Sequence, residues 1–94
     1  MEYITFMHGN SDGKATEPEW NAFFELAGDS GLFRGGSAMG KRWTIGKGAD
    51  VASDGIAGYM RFDADNVDDL VALLSKHPTI LHGGTIEICE LPKD

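Results

Sequence analysis

Glu87 and Arg61 are the two charged side chains best placed to do chemistry in this sequence. Each lies in the middle of a segment in which apolar and polar residues alternate, which is typical of a half-buried strand. An arginine would orient an anionic ligand, and a neighbouring carboxylate would act as a general base. A cross-strand or cross-subunit salt bridge that only satisfies two charges explains the same pair. The pattern favours the salt bridge over the catalytic pair.

The three histidines are the other candidates for proton transfer. His8 ends the first predicted strand, where an imidazole would suit an isomerase or a dehydrohalogenase. Alternation groups it with Ile4 and Phe6, which favours a partly exposed terminal residue. His82 precedes the last strand and could reach a cavity rim, whereas His77 is interpreted as a helix C-terminal residue stabilised by the helix dipole. Their spacing is not a zinc pattern, so we expect neither a metal nor a cofactor.

Two helices and four strands are predicted to carry these residues. Thr16 and Glu19 form a capping-box pattern before an apolar helical stripe that glycines end. Asp65 or Asn66 starts a second helix over residues 67–76, which His77-Pro78 stops. Strands are predicted around "YITFMH", "AGYMRFD" and "TIEICE", and "LFRGGSAMGKRWTIGKG" is predicted as a strand or bent hairpin.

This order predicts an α+β, ferredoxin-like βαββαβ fold with a four-stranded antiparallel sheet and both helices on one face. We expect the more apolar residues to face the helices: Ile4, Phe6, Met60, Phe62, Ile86 and Ile88. The opposite, mixed face would line a small polar cavity. We expect that face to hold Tyr3, Thr5, Met7, Tyr59, Arg61, Thr85, Glu87 and Cys89, with Tyr3, Thr5, Tyr59 and His82 as candidate ligand-binding residues.

Length and composition limit the classes of function. The 94 residues fit one domain, 1–94, and a chain this short gains stability by sharing a sheet face with a second subunit. A net charge of −7 argues against nucleic acid or an anionic membrane as a partner. The single cysteine, Cys89, is expected to be a small buried hydrophobe. Without a signal-peptide or membrane-span pattern, a cytoplasmic location is expected.

A stretch rich in glycine, "GGSAMGK" at residues 35–41, fits the first seven positions of a phosphate-binding loop. The next residue is Arg42 instead of serine or threonine, and "RWTI" is predicted as strand, so the helix N-terminus that such a loop needs is missing. We therefore reject nucleotide binding and interpret the glycines as a bulge or bend.

Four segments carry a resemblance to a known family. The pieces "YITFMH", "WNAFFELAGDSGLFRGGSAMG", "IAGYMRFDADNVDDLVALLSKHP" and "GGTIEICEL" occur in the order seen in YCII-related (DGPF-type) proteins. The chain resembles that family over nearly its whole length. It departs in three places: Asp54-Gly55 is followed by Ile56-Ala57 instead of Pro-Phe, the first helix has no histidine, and His77-Pro78 replaces Asp-Pro.

The resemblance implies a homodimer in which two open sheet faces enclose a cavity, the dimeric α/β barrel. It also implies kinship with muconolactone isomerase and with a dehydrochlorinase of chlorinated aromatic breakdown. We therefore expect either proton-transfer chemistry on a small organic acid or lactone, or a non-catalytic, metabolite-sensing accessory module such as those linked to sigma factors. The histidine–aspartate pair proposed for some relatives is not carried over, because its positions do not match.

Overall fold

The computed structural model describes residues 1–48 and 53–93. Within these ranges the elements are β1 (Glu2–His8), α1 (Glu17–Ser30), β2 (Phe33–Ala38), β3 (Ile56–Asp63), α2 (Val67–Leu74), α3 (Pro78–Leu81) and β4 (Ile86–Leu91). Apart from the short α3, this is the predicted order. The composition of "GADVASDG", residues 48–55, predicts a loop, and residues 49–52 of it lie outside the described ranges. None of the three helices is both long and apolar enough to cross a membrane.

Helix α1 begins and ends on the residues that the sequence supplies for this purpose. The Thr16 hydroxyl accepts a hydrogen bond from the backbone N–H of Glu19, whose carboxylate accepts one from the Thr16 backbone N–H at 3.0 Å. This is the predicted capping box, with Pro18 in the first turn. Gly31 closes the helix in a left-handed conformation, with φ of 73°, which glycine adopts at little cost.

Helices α2 and α3 are separated at the predicted His77-Pro78 stop. Asn66 caps α2, and its side-chain oxygen accepts a hydrogen bond from the Asp69 backbone N–H at 3.0 Å. The helix ends at Leu74, two residues earlier than predicted. His77 then caps α3, with Pro78 in the first turn. Proline cannot continue α2, but its fixed φ suits the start of a new helix.

The four strands form one antiparallel sheet in the order β2-β3-β1-β4. The predicted ferredoxin-like arrangement is thereby confirmed, with β1 and β3 as the central strands. β2 is irregular: its register with β3 shifts between Phe33 and Gly36, as the predicted bulge requires. A Cβ atom at Gly36 would lie 2.9 Å from the Met60 Cα, so only glycine fits there. Residues 39–48 form neither helix nor strand, so the strand predicted for residues 42–45 is wrong.

The helices cover one face of the sheet, and β1 turns an unexpected set of side chains toward them. Thr5 lies opposite Met60 on β3 and Ile88 on β4, two residues correctly predicted to face the helices. The expectation that β1 buries its more apolar set, Ile4 and Phe6, is therefore wrong. The residues on β1 that join the core are Tyr3, Thr5 and Met7, and they pack with Phe23, Ala27, Met60, Phe62, Leu70 and Leu74.

Candidate functional site

His8 and Glu87 meet on the sheet face that the helices leave uncovered. Glu87 lies opposite Phe6 in the β1–β4 register, and the backbone bond from His8 N–H to the Thr85 carbonyl, at 2.9 Å, continues this pairing. The His8 Nε2 atom is 3.0 Å from the Glu87 Oε1 atom. The prediction grouped His8 with Ile4 and Phe6 correctly, but it placed that group on the wrong face. Two candidate catalytic residues therefore lie in direct contact.

This pair has the elements of an acid–base dyad. The carboxylate engages Nε2, which leaves Nδ1 free to accept a proton. About a third of the His8 side chain and about half of the Glu87 side chain are exposed in the protomer, so a ligand on this face can reach both. The Cys89 sulfur lies 4.0 Å from the Glu87 Oε2 atom on the same face. Cys89 is half-buried, not fully buried as expected.

Arg61 lies on the predicted face but has a different partner from the predicted one. Its guanidinium forms an ion pair with Glu2, with 3.6 Å between the Nη2 and Oε1 atoms. β1 lies between β3 and β4, which keeps Arg61 and Glu87 on strands that do not pair. The prediction of a direct salt bridge between Arg61 and Glu87 is therefore wrong within the protomer. Tyr59, opposite Phe6 on β1, shares the uncovered face, as predicted.

Tyr3 and Thr5 do not line the uncovered face. Both are buried beneath the helices, and the Thr5 hydroxyl donates a hydrogen bond to the Met60 carbonyl at 3.0 Å. The prediction that these two residues bind a ligand on the open face is contradicted by their burial. The error follows from the inverted faces of β1, where both sets of side chains are sufficiently apolar to be buried.

His82 contacts the first helix instead of a cavity on the sheet face. Its Nε2 atom is 2.8 Å from the Glu19 Oε2 atom. The hydrogen bond from the Thr16 backbone, with further bonds from His82 and the Thr16 hydroxyl, holds the pKa of Glu19 below its usual value. The pair ties the start of α1 to the end of α3, just before β4.

His77 is buried inside the helical layer, where the sequence predicted a charged helix end. Its ring packs edge-on against Trp20, with ring centres 5.0 Å apart, and against Phe23 at 4.6 Å. Its Nδ1 atom accepts a hydrogen bond from the Thr79 backbone N–H at 3.0 Å. Burial lowers the pKa of His77 to about 4, so the ring is neutral near pH 7. The predicted stabilisation of a His77 cation by the helix dipole is therefore wrong.

A pocket of about 330 Å³ opens on the helix side, between α1, α3 and the β2–β3 pair. No pattern in the sequence predicted this pocket. Glycines 36 and 58 are among the residues that line it. Its walls are mostly apolar and aromatic, and they include Met7, Trp20, Phe24, Phe33, Met60 and Thr79. The aromatic residues Trp20 and Phe24 of the α1 stripe were the sequence signal for it: they stack on each other at its edge, with ring centres 5.9 Å apart.

A metal centre has no ligand set in the ranges 1–48 and 53–93. No three histidine, cysteine, aspartate or glutamate side chains there come together closely enough to hold an ion. The His8–Glu87 and His82–Glu19 pairs lie on opposite sides of the sheet. Each pair offers only two side chains that could bind a metal ion.

The fold is similar to that of 5-chloro-2-hydroxyhydroquinone dehydrochlorinase from Burkholderia phenoliruptrix AC1100, solved in complex with 2,5-dihydroxybenzoquinone. The superposition has a TM-score of 0.58 and covers 100% of this chain and 96% of the dehydrochlorinase chain, at 11% sequence identity. The dehydrochlorinase is a dimeric α/β barrel protein, and this chain shares the four-stranded, ferredoxin-like α+β fold of its protomer. At this identity the likeness establishes the fold alone. No family model matches the sequence, and no curated protein matches it, so membership of the YCII-related family stays a prediction.

Proposed function

We propose that the protein is a small-molecule enzyme or binder that works as a homodimer, with two uncovered sheet faces enclosing a cavity. The chemistry proposed for this cavity is proton transfer on a small organic acid or lactone. The observation that supports it is the contact of His8 with Glu87 on the uncovered face, 3.0 Å apart. A ring nitrogen held by a carboxylate is a common arrangement for a general base.

Each residue of the face has a role in this proposal. The His8 Nδ1 atom takes a proton from the carbon next to a carboxylate or lactone carbonyl and returns it to another carbon of the same molecule. Glu87 stabilises the imidazolium formed in between. Arg61 exchanges its weak contact with Glu2, at 3.6 Å, for the ligand's carboxylate. The Tyr59 hydroxyl donates a hydrogen bond to the enolate oxygen.

The second candidate function is a metabolite-sensing or accessory module that binds without turnover. The apolar pocket beneath α1 favours it, because about 330 Å³ suits a single-ring compound and the lining offers few groups for acid–base chemistry. The structural neighbour was solved with a dihydroxybenzoquinone. Ring-bearing acids, phenols and quinones are therefore the compounds to test on this chain for either function.

The first experiment is a thermal-shift screen of small carboxylates, lactones, phenols and quinones. Wild type is compared with Glu87→Gln and with Glu90→Gln, which makes the same change of charge on β4 but opposite Tyr3, on the helix side of the sheet. We expect a ligand that stabilises wild type and the Glu90 variant but loses at least about tenfold in affinity for the Glu87 variant.

Turnover then separates the two functions. The ligand is incubated with protein in heavy water, and the loss of C–H signal is followed by proton NMR. Exchange that disappears in His8→Gln and Glu87→Gln supports the enzyme, whereas binding without exchange supports the module. A ligand whose affinity is insensitive to both variants contradicts a site on the uncovered face.

A further inference from the structure

A basic arm, residues 39–48, leaves the sheet between β2 and β3. It contains three of the eight basic residues, Lys41, Arg42 and Lys47, and no acid. Two large apolar side chains stand out from it: Trp43 is 83% exposed and Ile45 is 100% exposed. Neighbouring exposed apolar groups of this size are typical of an interaction surface, and tryptophan and arginine are both enriched at interface hot spots.

The base of the basic arm is held in place. The Met39 backbone N–H donates to the Ala57 carbonyl at 2.9 Å. The Arg42 guanidinium donates to the Asp54 carbonyl at 3.1 Å and to the Ile56 carbonyl. These bonds fix the direction in which the arm leaves the sheet, so a partner would need to order only its tip. Gly46, with φ of 88°, turns the chain directly after Ile45.

A surface that fits this arm lies on the other side of the molecule. A groove of about 240 Å³ runs between α2, α3 and the outer edge of β4. It is lined by Val71, Leu74, Ser75, Ile80, Ile86 and Ile88, and Val71 is 49% exposed. Asp68, three residues before Val71, is its neighbour on the surface of α2. The groove itself is mostly apolar, and the first turn of the helix that borders it carries two acids, Asp68 and Asp69.

We infer that the basic arm of one protomer packs into the α2–α3–β4 groove of a second copy of this chain, with Trp43 and Ile45 as its anchors. The inference rests on the homodimer of the proposed function, whose paired sheets occupy the uncovered face and leave the groove available. Outside the arm, the chain holds all fifteen acids and five of the eight bases, a formal charge of −10, so a second copy attracts the arm. The tip beyond the Arg42 anchor, residues 43–45, can extend about 10 Å, which matches the separation of about 10 Å between packed sheets.

The test is the dissociation constant of the homodimer, measured by sedimentation equilibrium. The double variant Trp43→Ser/Ile45→Ser is compared with Leu26→Ser, an apolar residue of α1 that is 43% exposed. On the receiving side, Val71→Lys is compared with Val67→Lys, which makes the same change on α2 outside the groove. We expect the arm variant and the Val71 variant each to raise the dissociation constant at least about 30-fold, and both controls to change it less than about threefold.

The possible outcomes distinguish the arm contact from the homodimer itself. A dimeric wild type whose dissociation constant the arm variant leaves unchanged overturns the arm contact and leaves the proposed homodimer standing. An arm variant that weakens the dimer while the Val71 variant does not also overturns the inference, because the groove is then not the receiving surface. A wild type that is monomeric overturns both. Co-sedimentation of that monomer with phosphatidylserine-containing vesicles, lost in the arm variant, would assign the arm to a lipid surface instead. Circular dichroism melts verify that every variant is folded.

Discussion

The three histidines show how the environment decides what one side chain can do. His8, on the surface beside Glu87, keeps a nitrogen free for a ligand. The Nε2 atom of His82 is hydrogen-bonded to Glu19, so His82 links the end of α3 to α1. His77 is enclosed by aromatic rings, and burial keeps it neutral. Only the first of these environments combines access with an acidic partner on the face that we assign to the cavity.

The buried His77 predicts a loss of stability in mild acid. Its pKa is about 4 in the folded protein against an ordinary value of 6.5. Between these values the unfolded chain binds a proton that the folded chain does not, so the free energy of unfolding falls as the pH falls. The decrease attributable to His77 should approach about 3 kcal/mol. Urea denaturation across this pH range measures it.

Two variants separate the titration of His77 from its packing. His77→Asn keeps an acceptor for the Thr79 N–H but loses the ring, whereas His77→Phe keeps a ring but loses the acceptor. Both should be less stable than wild type near pH 7, and both should lose the His77 part of the pH dependence. If both variants retain the full wild-type slope, the burial of a neutral His77 is not its cause.

At the scale of elements, the sequence was most informative where local chemistry fixes the backbone. The Thr16–Glu19 capping box was predicted, and so was a cap at Asp65 or Asn66, of which Asn66 is the one used, because each motif needs residues only three apart. The orientation of β1 was not, since both of its faces are apolar enough to be buried and alternation alone does not say which one meets the helices. That choice depends on the pairing of Thr5 with Met60 and Ile88, which are far away in the chain.

The candidate site was likewise predicted only in part. Glu87, Arg61 and Tyr59 lie on the uncovered face because the alternation of β3 and β4 is unambiguous. The contact of His8 with Glu87 depended on the face of β1 and was missed. The pocket beneath α1 was also missed, because its walls come from α1, α3, β2 and β3 together, and no single segment encodes it.

Two glycines should respond in opposite directions to the same substitution. A Cβ atom at Gly84, just before β4, would lie 2.8 Å from the Thr79 Cγ2 atom and 2.9 Å from the Ser11 Cβ atom. Gly84→Ala should therefore cost about 1–3 kcal/mol of stability. At Gly28, inside α1, a Cβ atom meets nothing within 4 Å. Gly28→Ala should stabilise the protein by about 0.5–1 kcal/mol, because alanine favours the helix.

Urea denaturation of the two alanine variants under one set of conditions gives both values. The sign of each change in the free energy of unfolding is the informative result, because the substitution is identical at the two positions. A neutral or stabilising Gly84→Ala would contradict the prediction and would mean that Thr79 and Ser11 move away from the new methyl group at little cost.

At the scale of the whole molecule, the protomer is flat and leaves one side of its sheet uncovered. The chain measures 43 × 39 × 18 Å, and its radius of gyration is 14.1 Å, whereas a compact chain of this length has about 12 Å. The helices cover one side of the sheet, and nothing in residues 1–48 and 53–93 covers the other. Phe6 and Ile4 lie half-buried on that open side among charged neighbours. A second sheet placed there would bury them.

The uncovered face gives the last prediction, a single substitution that separates the homodimer from the fold. Phe6 occupies the centre of that face, between Tyr59 and Glu87 in the register of the sheet. In a face-to-face homodimer, Phe6→Asp would bury a carboxylate beside another carboxylate, so the dissociation constant should rise at least about 100-fold. In the monomer the new side chain would be solvated, and the circular dichroism spectrum should be unchanged. Leu26→Asp on α1 is the matched control and should remain dimeric in sedimentation. A Phe6→Asp variant that is folded and still dimeric would show that the subunits meet through another surface, and Glu87 would then face solvent instead of a cavity.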